Sequence, residues 1–266
     1  MTPLVPVSTS LTIPLAAAAL FGAVIGSFLN VCIYRLPFGR SIVWPASACT
    51  RCGRELSWYE NVPILAWLAL RGRCRSCAEP ISIQYPIIEA LTAIMFAAAW
   101  WYYGPTPLLV SRLVFGCALI VLFAIDLEHH LLPNAITLPG MAVGFAFALF
   151  TEPGWLASLL GVLLGAGVLY AIAEGYYLVR HEEGMGMGDV KMLGMIGAFL
   201  GWQLTILTLV MASFAGAIIG LLLIALKRGD MKYALPFGTF LALGAALAGT
   251  AGAPFLDWYL GLLGGV

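Results

Sequence analysis

The sequence predicts an all-α polytopic membrane protein of about eight transmembrane helices, interrupted by one small polar insert. Three observations predict it. Hydrophobic residues make up 62% of the 266-residue chain and charged residues only 10%, where a soluble domain carries about 25% charged residues. Mean hydropathy is +0.97. Apolar runs near the ~20 residues that a helix needs to cross a hydrocarbon core recur along the chain. An ordinary soluble fold and a disordered chain are both excluded, because the polar surface is too scarce. Thirteen Lys+Arg balance thirteen Asp+Glu, so net charge gives no argument for a nucleic-acid partner.

The runs are Leu11–Tyr34, Tyr85–Tyr103, Pro107–Asp126, Leu131–Phe150, Trp155–Val179, Val190–Trp202, Gln203–Leu226 and Tyr233–Ala251. The first lacks a basic flank before it and has one after it, so it reads as a retained helix and not a cleaved leader. The sixth is short, a shortened crossing or a re-entrant piece. Pro254–Gly264 is too short to cross and is expected at the membrane surface. No internal repeat is evident. Thirty glycines suit close helix contact in lipid.

Basic residues set the orientation. Seven of the thirteen Lys+Arg fall between Arg35 and Arg75. Arg180, Lys191, Lys227, Arg228 and Lys232 fall in loops on the same side if all eight runs cross. Residues 1–34 are thus a first transmembrane helix with its N-terminus outside. Residues 35–84 form a cytoplasmic insert, and residues 85–266 form the membrane core.

The insert carries Cys49-Thr-Arg-Cys52 and Cys74-Arg-Ser-Cys77, with 21 residues between the pairs. Two such pairs supply the four soft ligands of a tetrahedral zinc site. A closed four-Cys site leaves no open position for catalysis, so the zinc is expected to be structural. A 50-residue insert buries little core, and a metal staple compensates. A redox dithiol is the alternative. Tethering at both ends argues against a nucleic-acid role.

Charges inside spans are functional suspects. Asp126 ends the third run, and Asp189 opens the sixth within Gly184-Met185-Gly186-Met187-Gly188-Asp189-Val190-Lys191. Both fall at the cytoplasmic edge. Two carboxylates that meet can share a proton, one serving as base on water and the other as acid. The helix macrodipole favours Asp189, at a helix N-terminus, as the base. The spaced glycines permit close approach of a substrate backbone. Plain alternatives are an N-cap for Asp189 and a solvated loop residue for Asp126. Cys32 and Cys117 read as small apolar residues, and His129-His130 as interfacial histidines.

These stretches together resemble the bacterial type IV prepilin peptidases, of the GxGD class of intramembrane aspartic proteases. The resemblance rests on Gly26-Ser27-Phe28-Leu29-Asn30-Val31-Cys32-Ile33-Tyr34-Arg35-Leu36-Pro37, the paired cysteines, Trp58-Tyr59-Glu60-Asn61-Val62-Pro63 and Tyr85-Pro86-Ile87-Ile88-Glu89. It continues through Asp126-Leu127-Glu128-His129-His130-Leu131-Leu132-Pro133-Asn134, Gly186-Met187-Gly188-Asp189-Val190-Lys191 and Leu235-Pro236-Phe237-Gly238-Thr239-Phe240. It implies an endopeptidase with Asp126 and Asp189 as the catalytic pair and Gly186, Gly188 and Lys191 supporting the catalytic loop. It also implies removal of the short basic leader of type IV prepilins and type II secretion pseudopilins at the cytoplasmic face of the bacterial inner membrane. N-methylation with S-adenosylmethionine as donor would follow. Glu60 and Glu89 are the candidates for holding the substrate amine or the donor.

Three other readings compete. A proton-coupled transporter would use the aspartates as a relay, with charges near the midplane and paired broken helices. A membrane scaffold would tolerate loss of either aspartate. A thiol oxidoreductase would keep free dithiols instead of a metal.

Overall fold

The computed structural model describes residues 9–182, 186–226 and 236–263, the side chains of 9–12 and 263 excepted. Gly184, Met185, the loop basics Lys227, Arg228 and Lys232, and Tyr233 and Leu235 lie outside the described residues. The described chain is helical and carries no strand, only two isolated bridges, Ala48 with Glu55 and Arg73 with Pro80. The helices are α1 (Thr9–Arg35), α2 (Leu65–Ala69), α3 (Gln84–Tyr103), α4 (Pro107–His129), α5 (Asn134–Ala148), α6 (Trp155–Arg180), α7 (Met187–Ala225) and α8 (Phe237–Leu263). Two compact units divide the chain, one up to Leu113 and one from Val114.

In the first unit α1 packs along α3 through glycine. A Cβ at Gly22 would lie 2.7 Å from the Phe96 Cβ, and one at Gly26 would lie 2.7 Å from the Glu89 Cα. Two glycines four apart thus let the backbones meet, the way helices associate where lipid gives no hydrophobic drive. Buried Asn30 donates from Nδ2 to the Tyr85 carbonyl at 3.1 Å, tying the end of α1 to the start of α3. The insert hangs between these two helices.

The second unit is organised by α7. Gly201, with φ 77° and ψ 169°, is not helical, and α7 is two helices, 187–200 and 202–225. The chain reverses there. Gly161 and Gly165 of α6 meet the Gly197 and Leu193 carbonyls of the first half in antiparallel order. The same two glycines meet Gly201 and Thr205 in parallel order along the second. The break supports the reading of separate sixth and seventh runs, with its position at Gly201. A positive φ of this kind belongs to glycine, and a Cβ would also strike Pro153 at 2.9 Å. Ser158 donates to the Ala198 carbonyl at 2.8 Å and locks α6 to the first half. On the other side of α7, α8 lies along 202–225, with Gly244 against Thr208 and Gly252 against Leu204. Leu122, Met192, Leu193, Ile196, Phe199 and Leu241 fill the centre, and Phe115 stacks on Phe199 with centroids 4.8 Å apart.

Among the described residues, α1, α4, α6, α7 and α8 are each long and apolar enough to cross a membrane, and α5 is a shorter apolar helix. One expected boundary is corrected. Pro254 does not end the last helix, because α8 runs unbroken to Leu263. In lipid a helix keeps going through proline, since neighbouring groups re-satisfy the freed carbonyl.

Candidate active site

Asp126 sits in the last turn of α4, buried. The helix stops because His130 turns to a left-handed φ of 52° while its N–H still bonds the Asp126 carbonyl at 2.9 Å. Pro133 then caps α5. Asp189 sits in the first turn of α7, with its N–H on the Gly186 carbonyl at 3.1 Å. The two carboxylates, 63 residues apart in sequence, flank one side chain, since Gly188, next to Asp189, and Gly238, over Asp126 Oδ2, both close on Leu132. The structure therefore brings the sequence-predicted pair together at one end of the helices.

Leu132 is the wedge that sets this arrangement. A Cβ at Gly188 would come within 2.9 Å of the Leu132 Cβ, and one at Gly238 within 2.9 Å of its Cδ1 and 3.0 Å of Asp126 Oδ2. The starts of α7 and α8 thus close on the same side chain. Gly186 differs from Gly188. Its φ is −71°, and a Cβ there would find its nearest neighbour, Asp189 Oδ2, at 3.6 Å. Lys191 Nζ donates to Asn134 Oδ1 at 2.9 Å and pins the starts of α5 and α7 together.

Thr239 is a site residue to which the sequence reading gave no role. Its backbone N–H, at 2.6 Å, and its hydroxyl, at 3.1 Å, both donate to Asp126 Oδ2. The first N–H groups of a helix have no partner within it and suit an anion. Here α8 spends one of them on the Asp126 carboxyl. The available signal was Pro236-Phe237-Gly238-Thr239, a proline-led start to an apolar run.

In the insert the four sulfurs of Cys49, Cys52, Cys74 and Cys77 lie within 4.8 Å of one another. Cys49 Sγ and Cys77 Sγ are 3.8 Å apart. Metal–sulfur bonds near 2.3 Å in a tetrahedron imply a sulfur–sulfur edge of roughly 3.8 Å. The donor set fits a metal. Two like knuckles build it: Cys49 N–H bonds the Arg54 carbonyl and Gly53 N–H the Cys49 carbonyl, while Cys74 N–H bonds the Glu79 carbonyl and Ala78 N–H the Cys74 carbonyl. The N–H groups of Cys77 and Ser76 pull the Cys74 thiol down to about 6. At Cys77 the Glu79 N–H favours the thiolate, but burial and the Cys74, Cys52 and Cys49 sulfurs push it up to about 11. Four sulfurs this close hold four negative charges only around a cation.

Glu60 and Glu89 are both buried. Glu60 accepts from Arg54 Nη2 at 2.6 Å and from the Ser57 N–H at 2.9 Å. The Arg54 guanidinium and that N–H hold its carboxyl below the usual range. Glu89 accepts from the Ile64 N–H at 2.7 Å and from the Ser27 hydroxyl.

Residues 20–103 match the bacterial peptidase A24 N-terminal domain, and residues 113–221 match the type IV leader peptidase family. A prepilin leader peptidase/N-methyltransferase of Pseudomonas putida is 36% identical over 256 residues, covering 87% of this chain and 88% of the relative. One from Burkholderia pseudomallei (strain 1026b) is 38% identical over 279 residues, covering 94% and 88%. The chain belongs to the type IV leader peptidase family. A third relative of that name, from Myxococcus xanthus (strain DK1622), is 44% identical over 214 residues, 79% of this chain and 64% of the relative. No solved structure matches.

The first matched stretch contains the four cysteines, Glu60 and Glu89, and the second contains Asp126, Asp189, Gly186, Gly188 and Lys191. Thr239 lies beyond the second stretch. The family and the apolar helices make this a multi-pass membrane enzyme.

Proposed function

We propose that this chain is a membrane-embedded aspartic endopeptidase that removes the short basic leader of type IV prepilins and type II secretion pseudopilins, then methylates the new N-terminal amine. The observation that carries the peptidase reading is the clamp of Thr239 on Asp126, beside the Leu132 side chain on which Gly188, the neighbour of Asp189, also closes. The relatives named prepilin leader peptidase/N-methyltransferase support the substrate and the second activity. In this reading residues 1–34 supply the first helix, 35–84 the insert and 85–266 the peptidase core. The helix count is eight, with α7 contributing two crossings.

One aspartate takes a proton from water, and the hydroxide attacks the scissile carbonyl carbon. The other gives its proton to the carbonyl oxygen. The C–N bond then breaks as the amine leaves with a proton, and both carboxyls return to their starting state. No covalent enzyme intermediate forms. Thr239 holds Asp126 in place, while Gly188 and Lys191 hold the start of α7. The substrate backbone leaves its helix to be cut, which is tolerable only beside protein and water.

Cys49, Cys52, Cys74 and Cys77 hold zinc as a structural staple, since four ligands close the site. S-adenosylmethionine supplies the methyl group when bound. Glu60 and Glu89 remain the candidates for holding the substrate amine or the donor, each carboxylate being oriented by donors of the chain and keeping further acceptor capacity. The excess of Lys and Arg in residues 35–75 supports a cytoplasmic insert, an outside N-terminus and cleavage at the cytoplasmic face of the bacterial inner membrane. A transporter relay finds no support, since the aspartates lie in terminal turns of their helices.

The test is incubation of the purified protein with a prepilin, with and without S-adenosylmethionine, read by mass spectrometry. Leader loss is expected from the native chain and absent from Asp126→Asn and Asp189→Asn. Undiminished cleavage by either variant would end the reading.

A further inference from the structure

The first turn of α8 has two working faces. Gly238 and Thr239 face Asp126 and Leu132. Phe237 and Phe240, three residues apart, form the wall of a groove of about 450 Å³. Its floor is the second half of α7, at Ser213, Gly216 and Ala217, and its far wall includes Ile172 of α6. The opening therefore lies between α6 and α8, beside the turn that clamps the catalytic carboxyl.

Three of the four residues that α7 contributes are small, Leu209 being the fourth. At Gly216 a Cβ would sit 3.6 Å from the Phe240 ring, so a larger residue there would fill the groove. Small residues are what let a further helix come close in lipid. The volume is within the ~300–1,000 Å³ typical of sites that take a ligand. The position decides the occupant. A peptide with its scissile bond at the two aspartates must lead its remaining chain away from that edge. Thr239 and Phe240 are consecutive in α8, a rise of about 1.5 Å, so the clamp and the groove wall are two faces of one turn. An apolar helix leaving the catalytic pair into the bilayer reaches this groove directly. Lipid tails would also enter an apolar groove, but they need no place beside the reacting bond.

We propose that the groove between α6 and α8 seats the apolar segment that follows the scissile bond of the substrate. The proposal rests on the peptidase reading above.

Two measurements test it. Ala217→Trp, with folding checked by its thermal unfolding profile, is expected to raise KM for a full-length prepilin at least tenfold. In the Asp126→Asn background, p-benzoylphenylalanine at position 172 is expected to form an adduct with the prepilin on illumination, and the same group at position 218, outside the groove, is not. A KM within twofold of the native chain, or adducts at position 172 with lipid alone, would overturn the groove. A native chain that cuts no prepilin would instead remove the reading beneath it, and the two failures are distinguished by the unmodified protein.

Discussion

Thr239 gives both its backbone N–H and its hydroxyl to one oxygen of Asp126, across 113 residues of sequence. Two donors on one oxygen fix the plane of the carboxyl and leave its other oxygen for the water or the second aspartate. Thr239→Val keeps the N–H bond and removes the hydroxyl. A hydrogen bond to an ionisable partner is worth ~1.5–3 kcal/mol, and part of that is lost in misorientation. kcat is expected to fall about tenfold, with KM little changed. Thr239→Ser restores the hydroxyl and is expected to restore kcat. If valine and serine behaved alike, the hydroxyl would have no positioning role.

Gly188 and Gly186 flank the start of α7 but meet different surroundings. A methyl group at 188 presses on the root of the Leu132 side chain at 2.9 Å, which cannot swing away. A methyl group at 186 meets ordinary contact distances. Gly188→Ala is expected to cost ~1–3 kcal/mol as overpacking does, and to cut cleavage strongly by displacing Asp189. Gly186→Ala is expected to stay within about 0.5 kcal/mol of native stability. Thermal unfolding and cleavage rates on the pair decide it, and equal damage from both would refute the role given to Leu132.

The placement of Asp126 and Asp189 at helix ends was legible because each stands at the edge of an apolar run. The cysteines were legible because their spacing is a ligand pattern. The boundary between the sixth and seventh runs was also legible, since the break falls at Gly201 beside the expected Trp202. Thr239 was not, because its role depends on α8 starting where α4 ends, and no local pattern encodes a contact across 113 residues. Leu132 was hidden for the opposite reason. It looks like any other leucine of an apolar stretch, and only the missing Cβ atoms of Gly188 and Gly238 reveal it as a wedge. The tail misled because Pro254–Gly264 was judged by its own length, whereas α8 carries it on as the continuation of the preceding run.

The two cysteine knuckles share a geometry but not a residue. After Cys52 the chain turns at Gly53 with φ 70°, and after Cys77 it turns at Ala78 with φ 58°. A left-handed conformation costs an L-residue roughly 1–2 kcal/mol, and glycine escapes that while losing some of the gain to its freer unfolded chain. Ala78→Gly is expected to stabilise the insert by about 0.5–1 kcal/mol. Competition with a chelator should then show metal held about two- to fivefold more tightly. A variant that binds metal more weakly would show that the Ala78 methyl makes a compensating contact.

Acid should separate Glu60 from its amide. Arg54 donates to its carboxylate, as does the Ser57 N–H, and both hold the folded carboxyl below the ordinary range. The folded insert therefore binds fewer protons at this site than the unfolded one. The stability that Glu60 contributes is complete above the unfolded value of about 4.3. It is lost as pH falls through the lower folded value. Glu60→Gln cannot be ionised, so its deficit against the native chain should be constant from about pH 5.5 to 7 and shrink below about pH 4. Both proteins lose metal as thiolates protonate, so the quantity to follow is the difference between their unfolding curves at matched pH. A difference that persists undiminished at pH 3, or grows on acidification, would mean that the carboxylate is not what holds residues 54–60 together.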